Sequence, residues 1–293
     1  MSRFSTLNKI FIAASICLIS SCSRIADNRQ FSLWDLSQKN GGVFFCDTVG
    51  GPDDEVCYLS GGNTFLIKSA NGPDAKVITS FEIGKGLFPV FCADLDLDGK
   101  KDIFFGSNGA ERPCAEVRNG CGAIIARYYP SKELTGVSGF IPGLFTGDSL
   151  YCMVLPNWVD QPRGIAKYDA KSGKKIWFFH TPALPIGLCV QRDKNGSEVL
   201  IINHKTLTSG MWRYIGTDKQ FIADGDIDAG FIAIRADGSL ASFYKLTNAA
   251  GGNPVRGEIY FSAADDSFGS ELSVNVIDPN KGRYSFSFIP EIN

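Results

Sequence analysis

The chain has 293 residues, 44% of them hydrophobic, with a formal net charge of −2 and a pI near 5.8. That balance offers no basic stripe and excludes nucleic acid as an expected partner. Past residue 22 no apolar run approaches the roughly 20 residues that cross a bilayer as a helix, and the remaining length is enough to bury a core in one domain.

In chain order, the first segment carries Arg3 and Lys9, then an apolar stretch over residues 10–19, then Ser20-Ser21-Cys22. A basic start, a short apolar middle and small residues before a cut describe an export signal, and the apolar middle is too short to stay as an anchor. The four residues Ile19-Ser20-Ser21-Cys22 resemble the lipobox of bacterial lipoproteins; Cys17, preceded by Ile16, is a poor competitor. The resemblance implies removal of residues 1–21, acylation of Cys22, and attachment to a membrane through that lipid. More than one buried acyl chain holds such an anchor stably. Ser23 after the cysteine implies delivery to the outer membrane of the cell envelope. Residues 22–42 are then a lipidated tether, within which residues 30–36 supply a candidate closing strand for the domain over 43–293.

From there on helical periodicity is hard to find. Gly at 32 positions and frequent Asn-Gly, Asp-Gly and Gly-Gly pairs predict an all-β chain of short strands and tight turns. Beyond Cys17 and Cys22, seven cysteines remain, an odd number, so at least one thiol is unpaired in the monomer. Their number fits an oxidising compartment. Cys46 and Cys57 lie on two apolar runs joined by Gly50-Gly51-Pro52-Asp53-Asp54; if Thr48 faces Glu55, Cys46 faces Cys57, and the two are an expected disulfide. Cys114 and Cys121 are the second expected pair.

An apolar strand, an acidic loop with a glycine and a second apolar strand recur four times: over residues 45–58, 90–106, 187–201 and 260–274. Aligning Gly99 with Gly196 sets Cys92 on Cys189. A second type of hairpin recurs around Ala70-Asn71-Gly72, Ser172-Gly173-Lys174 and Ala236-Asp237-Gly238, each expected to join an outer pair of strands.

Two of these segments match known patterns. Asp94-x-Asp96-x-Asp98-Gly99-x-x-Asp102 resembles the calcium loop of integrin-α-type FG-GAP and VCBS repeats. Tyr168-Asp169-Ala170-Lys171-Ser172-Gly173-Lys174-Lys175-Ile176-Trp177 is similar to the PQQ-type repeat, in which the aspartate, the Ser-Gly-Lys turn and the tryptophan lock neighbouring blades. Both resemblances imply a β-propeller of four-stranded antiparallel blades. Such a ring solves the problem of a small sheet that cannot cover its own faces. Blades are placed near residues 43–85, 88–140, 149–182, 186–247 and 255–292. Five is the expected number, with six or four as alternatives. Residues 110–122 and 206–228 are read as insertions.

Four carboxylates within nine residues, with Gly99 allowing a sharp turn, suit a hard cation that takes six to eight oxygens. The expected ligands of a structural Ca²⁺ are Asp94, Asp96, Asp98, the carbonyl of Lys100, and Asp102. The Asp193 loop has lost ligand charge and is expected to fold without metal. Cys92, Cys152 and Cys189 are expected as small buried apolar residues. Inner strands that splay about an axis argue against disulfides between them. Trp177 is expected to pack between blades, whereas Trp212, Arg213 and Tyr214 in the longest insertion are the candidate binding surface.

His180 and His204 are the two histidines, neither at ligand spacing to a second histidine or a cysteine, and no Gly-x-Ser-x-Gly elbow is present. The expected function is a lipid-anchored, non-enzymatic binding or scaffold module for an envelope protein or a glycan. The alternative is a carbohydrate-active enzyme, using Arg127, Tyr128 and His180, or a quinoprotein-like one. The latter lacks its vicinal Cys-Cys pair.

Overall fold

The computed structural model describes residues 44–50, 54–60, 63–69, 75–132, 134, 136–156, 162–181, 184–205, 230–245, 258–263, 272–278 and 282–288. Every regular element among them is a strand. The first sheet is β1 (Phe44–Cys46), β2 (Glu55–Ser60), β3 (Thr64–Lys68) and β4 (Val77–Glu82) in that order. The next two are β5 (Leu87–Ala93), β6 (Asp102–Asn108), β7 (Ala115–Arg118) and β8 (Ile124–Tyr128), and β9 (Val137–Thr146), β10 (Ser149–Pro156), β11 (Gly164–Asp169) and β12 (Lys175–His180). They are fused: Ser107 and Asn108 of β6 pair with Phe140 and Gly139 of β9, so the two meanders form one eight-stranded sheet. The fourth is β13 (Leu184–Arg192), β14 (Glu198–Lys205), β15 (Gly230–Arg235) and β16 (Leu240–Lys245), and the fifth is β17 (Glu258–Ala263), β18 (Leu272–Asp278) and β19 (Gly282–Phe288). All pairings among the described residues are antiparallel, and all but the β6–β9 link join neighbours in the chain.

The first strands of successive sheets touch, β5 against β9, β9 against β13 and β13 against β17. Sheets that follow one another in this way, each beginning on the inside and meandering outward, make a β-propeller, with five blades among the described residues, the last of them showing three strands. The burial of each strand follows from its place. The second strands β6 and β10 lie between neighbouring blades and are buried at nearly every position instead of alternating, whereas β2 of the first blade is buried only at Glu55 and Cys57. Outermost strands carry exposed positions, among them Val77, Ile78, Ile124 and Ile176. One core runs through the second to fourth blades, with Phe104, Phe140, Tyr151, Met153 and Ile232 at its centre. A smaller one joins the first two blades around Phe65, Ile67, Ile103 and Phe105. There the Phe65 ring stands edge-on to Phe105 at 5.2 Å.

The expected hairpins take the expected places. The Ser172 and Ala236 turns join the third and fourth strands of their blades, and β3 pairs with β4 on either side of residues 70–74, which lie outside the described residues. The acidic loops at Asp94 and Asp193 join first to second strands.

Several expectations need correction. The third blade begins at Val137 and not near residue 149, because β9 turns into β10 through Gly147-Asp148 with no acidic loop to mark it. Residues 110–122 are not an insertion but contain β7. Cys152 sits on a second strand, β10, not beside Cys92 and Cys189 on first strands. Cys46 bonds to Cys92, a link between the first strands of blades one and two with a Cα–Cα distance of 6.3 Å. The splay of inner strands therefore does not prevent a disulfide there. The β1–β2 register sets Cys46 opposite Glu55 and Cys57 opposite Phe44, two residues away from the expected pairing. Thr48 donates its N–H to the Glu55 carboxylate at 2.7 Å, which holds the loop in that register. Cys57 is a buried free thiol, pushed up to about 12 by burial and by Glu55. Cys114 and Cys121 are both free, since they flank the four residues of β7 at its opposite ends. Four extended residues span roughly 13 Å, well beyond disulfide reach. The expected closing strand at 30–36 and the segment 206–228 lie outside the described residues.

Candidate metal centre

The loop between β5 and β6 is wound inward by its own backbone. Leu97 and Gly99 take positive φ angles of 61° and 88°. Their turns aim successive amides at carboxylates: Asp98 and Gly99 donate N–H to Asp94 at 3.1 and 3.0 Å, Lys100 donates to Asp98 at 2.8 Å, and Leu95 donates to Asp102 at 2.9 Å. Asp102 opens β6 and is buried, Asp94 is half-buried and Asp96 exposed. One carboxylate oxygen from each of these three lies within 4.8 Å of the others. Oxygens that share one Ca²⁺ at 2.3–2.6 Å lie no more than about 5 Å apart, so the three can serve one ion. Asp98 is outside this convergence, its carboxylate turned to the Lys100 amide.

The donor set is all oxygen and all anionic, which fits a hard divalent cation. Burial pushes the Asp102 carboxyl up to about 6, against the pull of the Leu95 amide, and the charges of Asp96, Asp94 and Asp98 push the same way. A cation between them would remove that repulsion. The loop is also braced from the first blade, where the Asp47 carbonyl accepts the Lys101 N–H at 2.7 Å.

The aligned loop at Asp193 is organised differently. Asp193 accepts the amides of Asn195 and Ser197, each at 2.8 Å. Its second acid, Glu198, accepts the Tyr151 hydroxyl from the third blade at 2.6 Å. Asp53 and Asp265 lie outside the described residues, as do Cys22, Trp158, Trp212, Arg213 and Tyr214.

Trp177 packs between blades. Its Nε1–H donates to the Ala236 carbonyl of the fourth blade at 3.0 Å, beside the Lys167 ammonium at 3.3 Å, and its ring covers Gly238. Asp169 closes the Ser172 turn by accepting both the amide and the hydroxyl of Ser172. The second and third blades exchange hydrogen bonds in the same region, Tyr128 to the Ala170 carbonyl and Tyr168 to the Tyr129 carbonyl. Arg127, Tyr128 and His180 occupy different settings. Tyr128 is buried in the core while Arg127 is exposed, and His180 stands edge-on to Phe178 on β12, held down to about 4 by burial and Lys175.

One constellation escapes the sequence reading. Glu116 on β7 is buried between two guanidinium groups, Arg118 and Arg127, each with Nε at 2.6 Å from a different carboxylate oxygen. Glu116 pairs directly with Arg127 across the β7–β8 ladder. A glutamate two residues before an arginine, facing another arginine across a hairpin, is the signal that would have found it. Reading residues 110–122 as an insertion concealed it.

No protein-family model matches the chain, and no curated protein matches it. Among solved structures it is similar to a protein of unknown function from Bacteroides caccae, at 11% identity and TM-score 0.43 over 78% of this chain and 70% of that one. It is similar to a TolB candidate from Agrobacterium tumefaciens at 16% identity and TM-score 0.38, over 84% and 82%. It also resembles the Dos1 propeller, at 10% identity and TM-score 0.44, covering 83% of this chain and 58% of that one. The fold assignment stands on the sheet order and the contacts between first strands.

Proposed function

We propose that this chain is the precursor of a lipid-anchored envelope protein, exported, cut before Cys22, and acting as a non-enzymatic binding or scaffold module for an envelope protein or glycan. The observation that carries the reading is the burial of the blade faces. The second strands β6 and β10 are covered on both sides, so there the propeller offers partners its loops and outer edges while its sheets serve as a frame. The lipobox-like Ile19-Ser20-Ser21-Cys22 supplies the anchor, and Ser23 supports outer-membrane delivery.

The Asp94–Asp102 loop is read as an FG-GAP-like structural calcium site in which Asp94, Asp96 and Asp102 supply side-chain oxygens, the remaining positions being left to backbone and water. Calcium there would neutralise a buried carboxylate and tie β5 to β6; it has no assigned part in chemistry. The test is affinity capture from detergent-solubilised envelopes of the producing cell, beside metabolic labelling with an alkyne fatty acid. The wild type is expected to incorporate label and to retain a saturable partner. Cys22→Ser is expected to lose the label. Recovery of no partner above the background of an unrelated lipoprotein rejects the binding-module reading.

A further inference from the structure

At the end of the second blade opposite the acidic loop, the β4–β5 turn, the β6–β7 loop and the outer ends of β7 and β8 enclose a cleft of about 590 Å³. That is the size of a small-molecule site. Lys85, Arg112, Glu111, Glu116, Arg127 and Tyr129 give it its chemistry. Its frame is fixed by backbone bonds: Asn108 donates N–H to the Gly86 carbonyl at 3.1 Å, and Gly109 donates to Ser138 at 2.8 Å.

We propose that this cleft binds a small organic ligand through a carboxylate group, held between Arg112 and Arg127 with Lys85 at the rim. Charge is the first argument. Three cations and two acids line the cleft, and one of those acids, Glu116, is also neutralised from behind by Arg118. Two positive charges are thus in excess locally, in a chain whose formal net charge is −2.

Preorganisation is the second. The Arg112 guanidinium lies 4.3 Å from the centre of the Tyr129 ring, a stacking that fixes its plane and leaves its N–H edges for a ligand. Arg127 spends Nε on Glu116, which orients it and leaves its terminal nitrogens, on a side chain 45% exposed. Among the described residues no hydrogen bond or ion pair engages Lys85 or the Arg112 guanidinium. Two planar forks match a planar carboxylate in bidentate fashion. The modest excess of charge and the presence of Glu111 and Glu116 favour a singly charged group over a phosphate dianion.

The inference deepens the binding-module reading and rests on it, but its test reads the cleft alone. The full-length lipoprotein in detergent is titrated by calorimetry with D-galacturonate, benzoate and succinate, each beside its methyl ester or amide, and with inorganic phosphate. Alkylation of Cys114, a half-buried free thiol in the cleft wall, is followed in parallel by mass spectrometry, with exposed Cys121 as the internal reference.

At least one carboxylate is expected to bind, to slow Cys114 but not Cys121, and to weaken at least tenfold in Arg112→Gln. The neutral counterparts are expected to be silent, and binding should fall with salt. Arg112 is exposed and makes no buried pair, so this variant keeps the fold; Arg127→Gln, which strips Glu116 of a partner, is read only after its melting temperature is checked. Equal binding of acid and neutral counterpart, tighter binding of phosphate, or no protection of Cys114 by any of the three acids overturns the proposal. Partner capture in the preceding test does not depend on these outcomes, so one reading can fail without the other.

Discussion

The contact between Trp177 and the Ala236-Asp237-Gly238 turn sets a measurable coupling between the third and fourth blades. A methyl group on Gly238 would sit 2.8 Å from Cγ of Trp177 and 3.1 Å from Cδ1 and Cδ2. Carbon contacts settle near 3.5–4.0 Å, so the ring must lift by about 0.7 Å or more. That movement breaks the 3.0 Å bond from Nε1 to the Ala236 carbonyl, worth about 1 kcal/mol net. The φ angle of +89° at Gly238 adds a backbone cost of about 1 kcal/mol for any L-residue. Gly238→Ala is therefore expected to destabilise by about 2–3 kcal/mol in the wild type. In a Trp177→Ala background only the backbone part remains, about 1 kcal/mol. The coupling is thus about 1–2 kcal/mol, read from a double-mutant cycle on urea midpoints and melting temperatures. Equal costs in the two backgrounds, within about 0.5 kcal/mol, would refute the lock and leave the tryptophan as ordinary surface cover.

The acidic loop makes an opposite kind of prediction. A carboxyl raised from 3.8 to about 6 withholds about 3 kcal/mol at pH 7. In chelator, Asp102→Asn keeps an acceptor for the Leu95 amide and should raise the melting temperature. The wild type should gain about 1–2 kcal/mol from 5 mM Ca²⁺ at the affinity typical of extracellular modules, and the variant nothing; a variant that melts lower in chelator yet still responds to calcium rejects the site. His180 governs a pH window. Its folded value near 4 lies below the ordinary 6.5, so the unfolded chain takes up the proton first and stability falls as pH drops from 6.5 toward 4. Asp102 titrates with the opposite sign across the same window, so the test is made in the Asp102→Asn background in chelator, where His180→Phe should flatten that part of the urea-midpoint profile, and an unchanged slope counts against the buried neutral imidazole. Closing the 46-residue separation between Cys46 and Cys92 is worth about 4 kcal/mol by loop-closure entropy. Peptide mapping should recover that pair, reduction should lower the melting temperature, and Cys57→Ala should leave the response intact; a Cys46–Cys57 peptide would contradict the β1–β2 register.

Much of the architecture was legible because it is local. The Ser172-Gly173 turn, Asp169 and Trp177 lie within nine residues and form one hairpin, so their spacing carried both the turn and the side chain that crosses to the next blade. The acidic loops marked where first strands pass to second strands, and where that mark was replaced by Gly147-Asp148 the boundary of the third blade was misplaced. Three of the expected calcium ligands converge, while Asp98 differs because its carboxylate caps the Lys100 amide, a choice set by the loop's dihedral angles and not by residue type. Cys46 was misassigned for a related reason. Side-chain bonds from Glu55 and Asp47 shape the intervening loop and shift the register by two residues, and the alternation of apolar positions is blind to a shift of two. The Glu116 cluster depends on pairing between strands, which no single stretch of sequence displays.

The ladder that continues from β6 into β9 makes two blades mechanically one. Separating them requires breaking strand-ladder bonds, whereas among the described residues the first two blades are joined by one disulfide and the Lys101 to Asp47 main-chain bond, and the third and fourth by side chains such as Trp177. Breathing motions should therefore concentrate on either side of the fused pair, and amides of β6 and β9 should exchange with solvent last. A ligand in the cleft beside them would meet walls that scarcely yield, selecting by shape before any closure of the protein around it.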